Sequence, residues 1–188
     1  MKLFLVALSV CFAGSSFAQP PAAQPKAGPR PAFTLSTTAF DDGGIIPNKY
    51  TGVDAHPVSP MFQWTNVPAS VSTFVFIMHD LDVSIQKRSE DNLHWMLFNI
   101  PASTTGLEEA LPITASLPDG TVQAKHARGA VGYMAPGAPA GPYHHYIFEI
   151  YGLDTKLDLG PDATRADVLK AMDSHVVAKA STTGRFHR

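Results

Sequence analysis

Short apolar and aromatic runs separated by turn-forming residues dominate the pattern of this chain. The clearest lie at 32–40 (AFTLSTTAF), 74–80 (FVFIMHD), 93–101 (LHWMLFNIP) and 144–154 (HHYIFEIYGLD). Runs of this length that end at polar residues, glycine or proline are typical of β-strands. Together with sixteen prolines and fourteen glycines among 188 residues, they favour an antiparallel β-sandwich over an alternating α/β sheet.

One stretch has helical periodicity instead. Within 162–181 (DATRADVLKAMDSHVVAKAS), apolar side chains recur at helical spacing, namely Val168, Leu169, Met172, Val176 and Val177. Asp162 or Thr164 is suited to cap the start of such a helix. The sequence therefore predicts a mainly β domain with a few short helices, one of them near the C-terminus.

The first eighteen residues, MKLFLVALSVCFAGSSFA, have the pattern of a secretory signal peptide. Lys2 precedes an apolar run from Leu3 to Gly14, and Ser16 and Ala18 are small residues before a cleavage site. A membrane anchor is the alternative, but the run is well short of the roughly 20 apolar residues that span a bilayer. We therefore expect an exported protein, either periplasmic or secreted, with no transmembrane anchor.

Residues 19–32 are rich in Pro and Ala, lack a hydrophobic period and are expected to form a flexible segment. This leaves one domain over 33–188. Cys11, the only cysteine, lies in the expected signal peptide, so the processed chain would have neither disulfides nor cysteine-ligated metal.

Charge narrows the range of partners. Residues 33–188 carry 11 basic and 16 acidic side chains, a formal net charge of −5, and contain no basic run. This excludes nucleic acid as an expected partner. Any anion binding has to come from a local arrangement of donors.

Candidate chemistry is concentrated where the 144–154 run begins. In a strand, His144 and Tyr146 point to one face and His145 to the other. We therefore expect His144 and Tyr146 to act together and His145 to be turned away.

Other polar residues also mark strand ends. Asp80 and Asp82 close the 74–80 run, and His94 lies at the start of the 93–101 run. If these strands are neighbours, the two aspartates and His94 could join His144 and Tyr146 in one cluster, but spacing alone leaves open whether they meet. The Gly-, Ala- and Pro-rich stretch 129–141 could offer backbone N–H groups to an anion beside them.

Four motifs in a fixed order, SPMFQWTNVP, HDLD, HWMLFNIP and GYMAPGAPAGPYHHYIFEIYGLD, resemble the phosphatidylethanolamine-binding protein family, in its bacterial, Raf-kinase-inhibitor-like branch. The resemblance extends over residues 33–188. It implies a β-sandwich with a small anion-binding pocket at one end. Carried over motif by motif, it implies these ligand-binding residues: Asp80, Asp82, His94, Gly137, Pro139, His144 and Tyr146.

Some positions depart from the family pattern. Leu81 and Ser84 stand where prolines are usual in the acidic motif, and Ala135 and Ala138 stand where Gly and Pro are common in the loop. The ligand preference of the pocket is therefore open.

Several of these residues also have structural interpretations. Asp82 could instead close a turn, and a single histidine is more often a structural residue than a functional one. His79 and His145 are expected to be surface or core features, and Glu149 could pair across the sheet.

The resulting hypothesis is a non-catalytic binding protein for a phosphate-bearing or similar small anionic ligand, such as a lipid headgroup or a phosphorylated small molecule, with no cofactor. The resemblance adds that such a protein could also modulate a partner protein. Imidazole and phenol donors suit phosphate oxygens, whereas an ionised Asp80 would repel them. Asp80 would therefore either hold a histidine cationic or share a proton with the ligand, and both predict tighter binding at mildly acidic pH.

Two alternatives remain open. His94, His144 and Asp80 could form the metal site or the acid and base of a hydrolase. The protein could instead act chiefly as a protease or kinase inhibitor, or as a scaffold, whose surface loops bind another protein chain. The resemblance also implies a homodimer as one arrangement.

Overall fold

A computed structural model describes residues 31–83 and 89–188 of the chain. The expected signal peptide, nearly all of the Pro/Ala-rich segment, and Ser84 of the acidic motif lie outside the described residues. In chain order the elements are β1 (Thr34–Ser36), β2 (Gly44–Ile45), a 3₁₀ turn (Asn48–Tyr50), β3 (Phe62–Thr65), β4 (Thr73–Asp80), β5 (Asn92–Pro101), β6 (Gly106–Leu107), β7 (Val122–Gln123), β8 (His144–Leu153), α1 (Arg165–Met172) and β9 (Val176–Phe186).

Two sheets contain the described strands. The larger has six strands in the order β2-β9-β8-β4-β5-β7, and the smaller has three in the order β1-β3-β6. This mainly β, two-sheet arrangement confirms the sandwich class. Pairing is antiparallel except at one edge of the large sheet, where β2 and β9 run parallel.

The central strand β4 is buried on both faces, which explains why its sequence is apolar throughout. Alternate side chains of a strand point to opposite faces. Phe76 packs against Phe62 of the small sheet, with ring centroids 5.0 Å apart, while Val75 belongs to a second core cluster with Val168 and Met172 of α1. The small sheet and α1 therefore cover opposite faces of the large sheet.

The predicted helix over 162–181 is only half correct. Thr164 caps α1 through a capping box with Asp167, but the helix ends at Met172, and Ser174 follows with a φ of +69°. From Val176 onward the chain is β9, which pairs along β8. The apolar residues at 176 and 177 fit helical spacing, but β-branched side chains also suit a strand, and pairing with β8 decides the outcome.

A buried ionic cluster fastens α1 to the sheet. Arg165 of α1 pairs with Asp91, which also contacts His79 Nδ1. Glu149 lies 3.2 Å from His79 Nε2 and pairs across the sheet with Lys179 of β9, as expected. Burial opposes ionisation of Glu149, but hydrogen bonds from His79, Lys179 and Tyr151 outweigh it and lower its pKa to about 2. His79 is expected from the sequence to be either a surface or a core residue, and the structure places it in the core.

Within the described part of the chain, no helix is long and apolar enough to cross a membrane.

Gly184 of β9 tests the packing between the sheets. A Cβ at this position would lie 2.5 Å from Ile46 Cγ1 and 2.9 Å from Phe40 Cε2. We expect Gly184→Ala to lower the free energy of unfolding by about 1–3 kcal/mol, because an added methyl group overpacks a filled core. Urea unfolding monitored by tryptophan fluorescence measures it.

Gly160→Ala is the matched control, since a Cβ there meets no atom within 4 Å. Its effect on unfolding should stay within about 1 kcal/mol. Equal losses in the two variants would contradict the packing described here.

Candidate ligand pocket

The ends of three neighbouring strands form one pocket. Antiparallel pairing sets Asp80, the last residue of β4, opposite Tyr146 near the start of β8, and also opposite Asn92 at the start of β5. The pocket has a volume of about 450 Å³. Its lining includes all seven residues predicted from the sequence, Asp80, Asp82, His94, Gly137, Pro139, His144 and Tyr146. Their role as ligand contacts stays a prediction.

Backbone hydrogen bonds hold the surrounding loops against β5. Ala127 donates its N–H to the carbonyl of Leu93, and Met134 donates to the carbonyl of His94, each at 3.0 Å. Farther along the loop, the carbonyl of Pro136 accepts from the Gly52 amide at 2.8 Å. The loop that forms one wall of the pocket is therefore held by backbone hydrogen bonds at Ala127, Met134 and Pro136, all of which precede Gly137.

Asp80 and His144 form the closest ion pair of the pocket. The Asp80 carboxylate, 1 % exposed, lies 2.9 and 3.1 Å from His144 Nδ1 through its two oxygens. Oδ1 also accepts the backbone N–H of Asp82 at 2.9 Å. Because an ionised carboxylate only accepts hydrogen bonds, His144 Nδ1 carries the proton. Nε2 of His144 is then the nitrogen free for chemistry with a ligand.

Tyr146 stays protonated at the base of the pocket. Burial first, and then the adjacent Asp80 carboxylate, raise its pKa well above the ordinary value. Its hydroxyl interacts with Asp80 and with the backbone amides of Gly137 and Ala138. The loop amides that we expected to face an anion therefore contact the Tyr146 oxygen in this structure.

His94 is held as one neutral tautomer. Nδ1 lies 2.8 Å from the carbonyl oxygen of Met134, which can only accept, so Nδ1 carries the proton. Nε2 lies 3.1 Å from Asn92 Nδ2 and accepts from that amide. Burial lowers the pKa of His94, with a smaller contribution from Arg128, and outweighs the Met134 and Asp80 contacts that favour the cation. His94 thus presents an acceptor, not the donor expected from its residue type.

Asp82 links the pocket to the outer side of β8. Its Oδ2 accepts the backbone N–H of His145 at 2.6 Å and lies 3.0 Å from His145 Nδ1. Burial opposes ionisation of Asp82, but these His145 hydrogen bonds outweigh it and lower its pKa. The turn expected of Asp82 does exist, with Asp82 as N–H donor to Asp80. His145 itself does not line the pocket.

Sequence reasoning missed two polar lining residues, Asn92 and Arg128. The Arg128 side chain is exposed at the rim of the pocket. Neither residue belongs to a motif that indicates a ligand. Only the folding of the 124–134 segment along β5 brings Arg128 to the pocket.

The metal site of the hydrolase alternative is not found in the described residues. No group of three or more His, Cys, Asp or Glu side chains there is arranged to hold a metal ion. His94 Nδ1 and His144 Nδ1 are both committed, to a carbonyl and to Asp80 respectively.

Comparison with known proteins agrees with this architecture. Residues 36–187 match the sequence profile of phosphatidylethanolamine-binding protein. A UPF0098 protein of Methanothermobacter thermautotrophicus is 43 % identical over 156 residues, covering 83 % of this chain and 99 % of the relative. The UPF0098 protein YbhB of Escherichia coli is 31 % identical over 158 residues, covering 81 % and 98 %.

Solved structures show the same fold. A crystal structure of a phosphatidylethanolamine-binding protein homologue from Chlamydia trachomatis superposes with a TM-score of 0.74 at 30 % identity, covering 84 % of this chain and 98 % of that one. Escherichia coli YbcL superposes with a TM-score of 0.70 at 23 % identity, covering 84 % and 99 %, which supports the fold alone. The chain therefore belongs to the phosphatidylethanolamine-binding protein family, whose members are generally ligand-binding proteins without catalytic activity.

The tautomer of His94 is directly measurable. In ¹⁵N-edited NMR of the ligand-free protein, we expect Nδ1 of His94 to be protonated and Nε2 unprotonated, with a titration midpoint below the usual value of about 6.5. His175, which is exposed and paired with Asp154, serves as an internal comparison on the surface. A His94 midpoint at or above about 6.5, or the opposite tautomer, would contradict the geometry described.

The lowered pKa of His94 also predicts how the free energy of unfolding depends on pH. A histidine whose pKa is lowered by folding binds protons more readily in the unfolded chain. Its contribution to the free energy of unfolding is therefore complete above about pH 6.5, and it declines as the pH falls from there through the lowered pKa. His94→Gln, which cannot titrate, should therefore lose less unfolding free energy between pH 7 and pH 5 than the wild type. Urea unfolding at the two pH values measures the difference, and parallel losses would contradict it.

Proposed function

We propose that this protein is an exported, non-catalytic binding protein whose pocket takes a small phosphate-bearing ligand. The observation that carries the proposal is the Asp80–His144 pair, with Nδ1 of the histidine 2.9 Å from a carboxylate that is 1 % exposed. With Nδ1–H held by Asp80, Nε2 is the nitrogen left for the ligand, and in the doubly protonated ring its N–H can donate to an anion. Arg128 adds a guanidinium at the same pocket, and export is inferred from the signal-like residues 1–18.

The size and lining of the pocket also favour a small polar ligand. A volume of about 450 Å³ leaves room for a phosphoryl group together with part of the molecule that carries it. Met134, Pro139 and Val83 supply apolar walls beside the charged groups. Small-molecule sites commonly combine apolar walls with a few placed polar groups.

One observation favours hydrolysis as a second candidate. A carboxylate that holds the Nδ1 of a histidine leaves Nε2 able to accept a proton from an attacking water, as in general-base catalysis. None of the described residues that line the pocket is a serine, threonine or cysteine. Turnover of a phosphomonoester at neutral pH that is abolished by His144→Ala would favour this candidate over simple binding.

Phosphate binding is the first test of the proposal. We expect saturable binding of inorganic phosphate at mildly acidic pH, measured by calorimetry and by NMR shifts of His94 and His144. His144→Ala should weaken it at least about tenfold, because a charged hydrogen bond to the ligand is lost.

His145→Ala is the matched control, since His145 is adjacent in sequence, also pairs with an aspartate and does not line the pocket. It should bind phosphate within about twofold of the wild type. Equal weakening in both variants, or binding that leaves His144 unperturbed, would place the anion elsewhere.

A further inference from the structure

Several polar groups of the pocket can only accept hydrogen bonds, and such groups disfavour a fully ionised anion, which can also only accept. Asp80 and Asp82 contribute carboxylates, and His94 contributes the lone pair of Nε2. Against these stand Arg128 and whatever charge His144 carries. The net charge of the lining residues that the structure describes is therefore negative or zero, which disfavours a dianion and suits a monoanion.

The acceptor at His94 cannot easily become a donor. Nδ1–H is committed to the Met134 carbonyl at 2.8 Å, so only protonation to the imidazolium would place a hydrogen on Nε2. The side chain is 4 % exposed, and burial disfavours the charged form. The charged or titratable groups that influence it are Asp80 at the end of β4, His126 and Arg128 on the loop beside β5, and Tyr146 on β8, whose ring meets the imidazole edge to face at 5.1 Å.

Asn92 provides the complementary donor. Its amide Nδ2 lies 3.1 Å from His94 Nε2 and also lines the pocket. If a ligand hydroxyl donates to His94 Nε2, the Asn92 amide can donate instead to one of the ligand's unprotonated oxygens. The His94–Asn92 pair thus offers one acceptor and one donor side by side, which matches a P–OH group next to a P–O⁻ group.

We propose that the pocket selects the singly protonated monoanion of a phosphomonoester, with the ligand's own P–OH donating to Nε2 of His94. This rests on the proposed function and adds the protonation state and ester class of the ligand to it. An acceptor-only oxyanion of the same charge and shape cannot donate to His94 Nε2, which then keeps the Asn92 amide as its donor, so that amide hydrogen is not released to the ligand.

Methyl phosphate and methyl sulfate separate these possibilities. At pH 5 both are monoanions of nearly the same shape, but only methyl phosphate carries a proton. We expect methyl sulfate to bind at least about tenfold more weakly by calorimetry, because it has no hydroxyl to donate to His94 Nε2 and does not release the Asn92 amide to bind a ligand oxygen. At pH 7.5 methyl phosphate has lost its second proton, whose pKa is about 6, and the preference should shrink.

Methyl sulfate does not titrate between pH 5 and pH 7.5, so any change in its affinity over that range reports protonation of the protein itself. Equal affinities at pH 5, or equal strengthening of both ligands on acidification, would overturn the inference by placing the proton on a histidine, while the anion pocket would stand. Failure of both ligands to bind would overturn the proposed function as well.

The ¹⁵N signals of His94 provide a second, independent readout. With methyl phosphate bound, His94 should keep its neutral tautomer, with Nδ1 protonated and Nε2 accepting. Conversion of His94 to the imidazolium on binding would overturn the inference even if methyl phosphate were preferred.

Discussion

The antiparallel pairing of β4 with β8 is the constraint on which the pocket depends. Because Asp80 pairs with Tyr146, the last residue of a fully buried strand lies beside the first residues of its neighbour. That register brings the Asp80 carboxylate within hydrogen-bond distance of His144. A shift of one residue would turn His144 and Tyr146 to the opposite face and break the cluster.

Consecutive histidines of β8 face opposite sides of the sheet and pair with different aspartates. His144 meets Asp80 inside the pocket, and His145 meets Asp82 outside it. Since Leu81 also donates its N–H to the carbonyl of His145 at 3.2 Å, the turn after β4 is tied to β8 by backbone and side-chain contacts together. The HDLD and HH motifs are thus two halves of one local structure.

Much of the fold follows from the sequence, because long apolar runs have few alternatives to central strands. The runs at 74–80 and 93–101 lie in β4 and β5 nearly as predicted. The helix at 162–181 was overextended because Val176 and Val177 suit both helical spacing and a strand, and only pairing with β8 distinguishes the two. The parallel pairing of β2 with β9 joins residues about 140 positions apart and leaves no local pattern to find.

The pocket residues likewise divide into those that a local sequence pattern indicates and those that only the folded chain brings together. Strand alternation predicts that His144 and Tyr146 share one face, and the family motifs identify the loop positions Gly137 and Pro139. The structure brings these positions together in the pocket. The same alternation could have identified Asn92, which lies two residues before His94 in β5 and shares its face. Arg128 could not be found in this way, because nothing near it in sequence marks a site until the chain folds along β5. The tautomer of His94 is likewise set by a carbonyl 40 residues away, that of Met134.

We propose that the ends of β4, β5 and β8 form a binding site for a phosphoryl group. A crystal structure of the protein soaked in methyl phosphate at mildly acidic pH would show whether the ligand binds there. We expect phosphorus density in this pocket, with ligand oxygens within hydrogen-bond distance of His144 and Arg128. An empty pocket at a concentration that saturates binding in solution, or density only at another site, would contradict it.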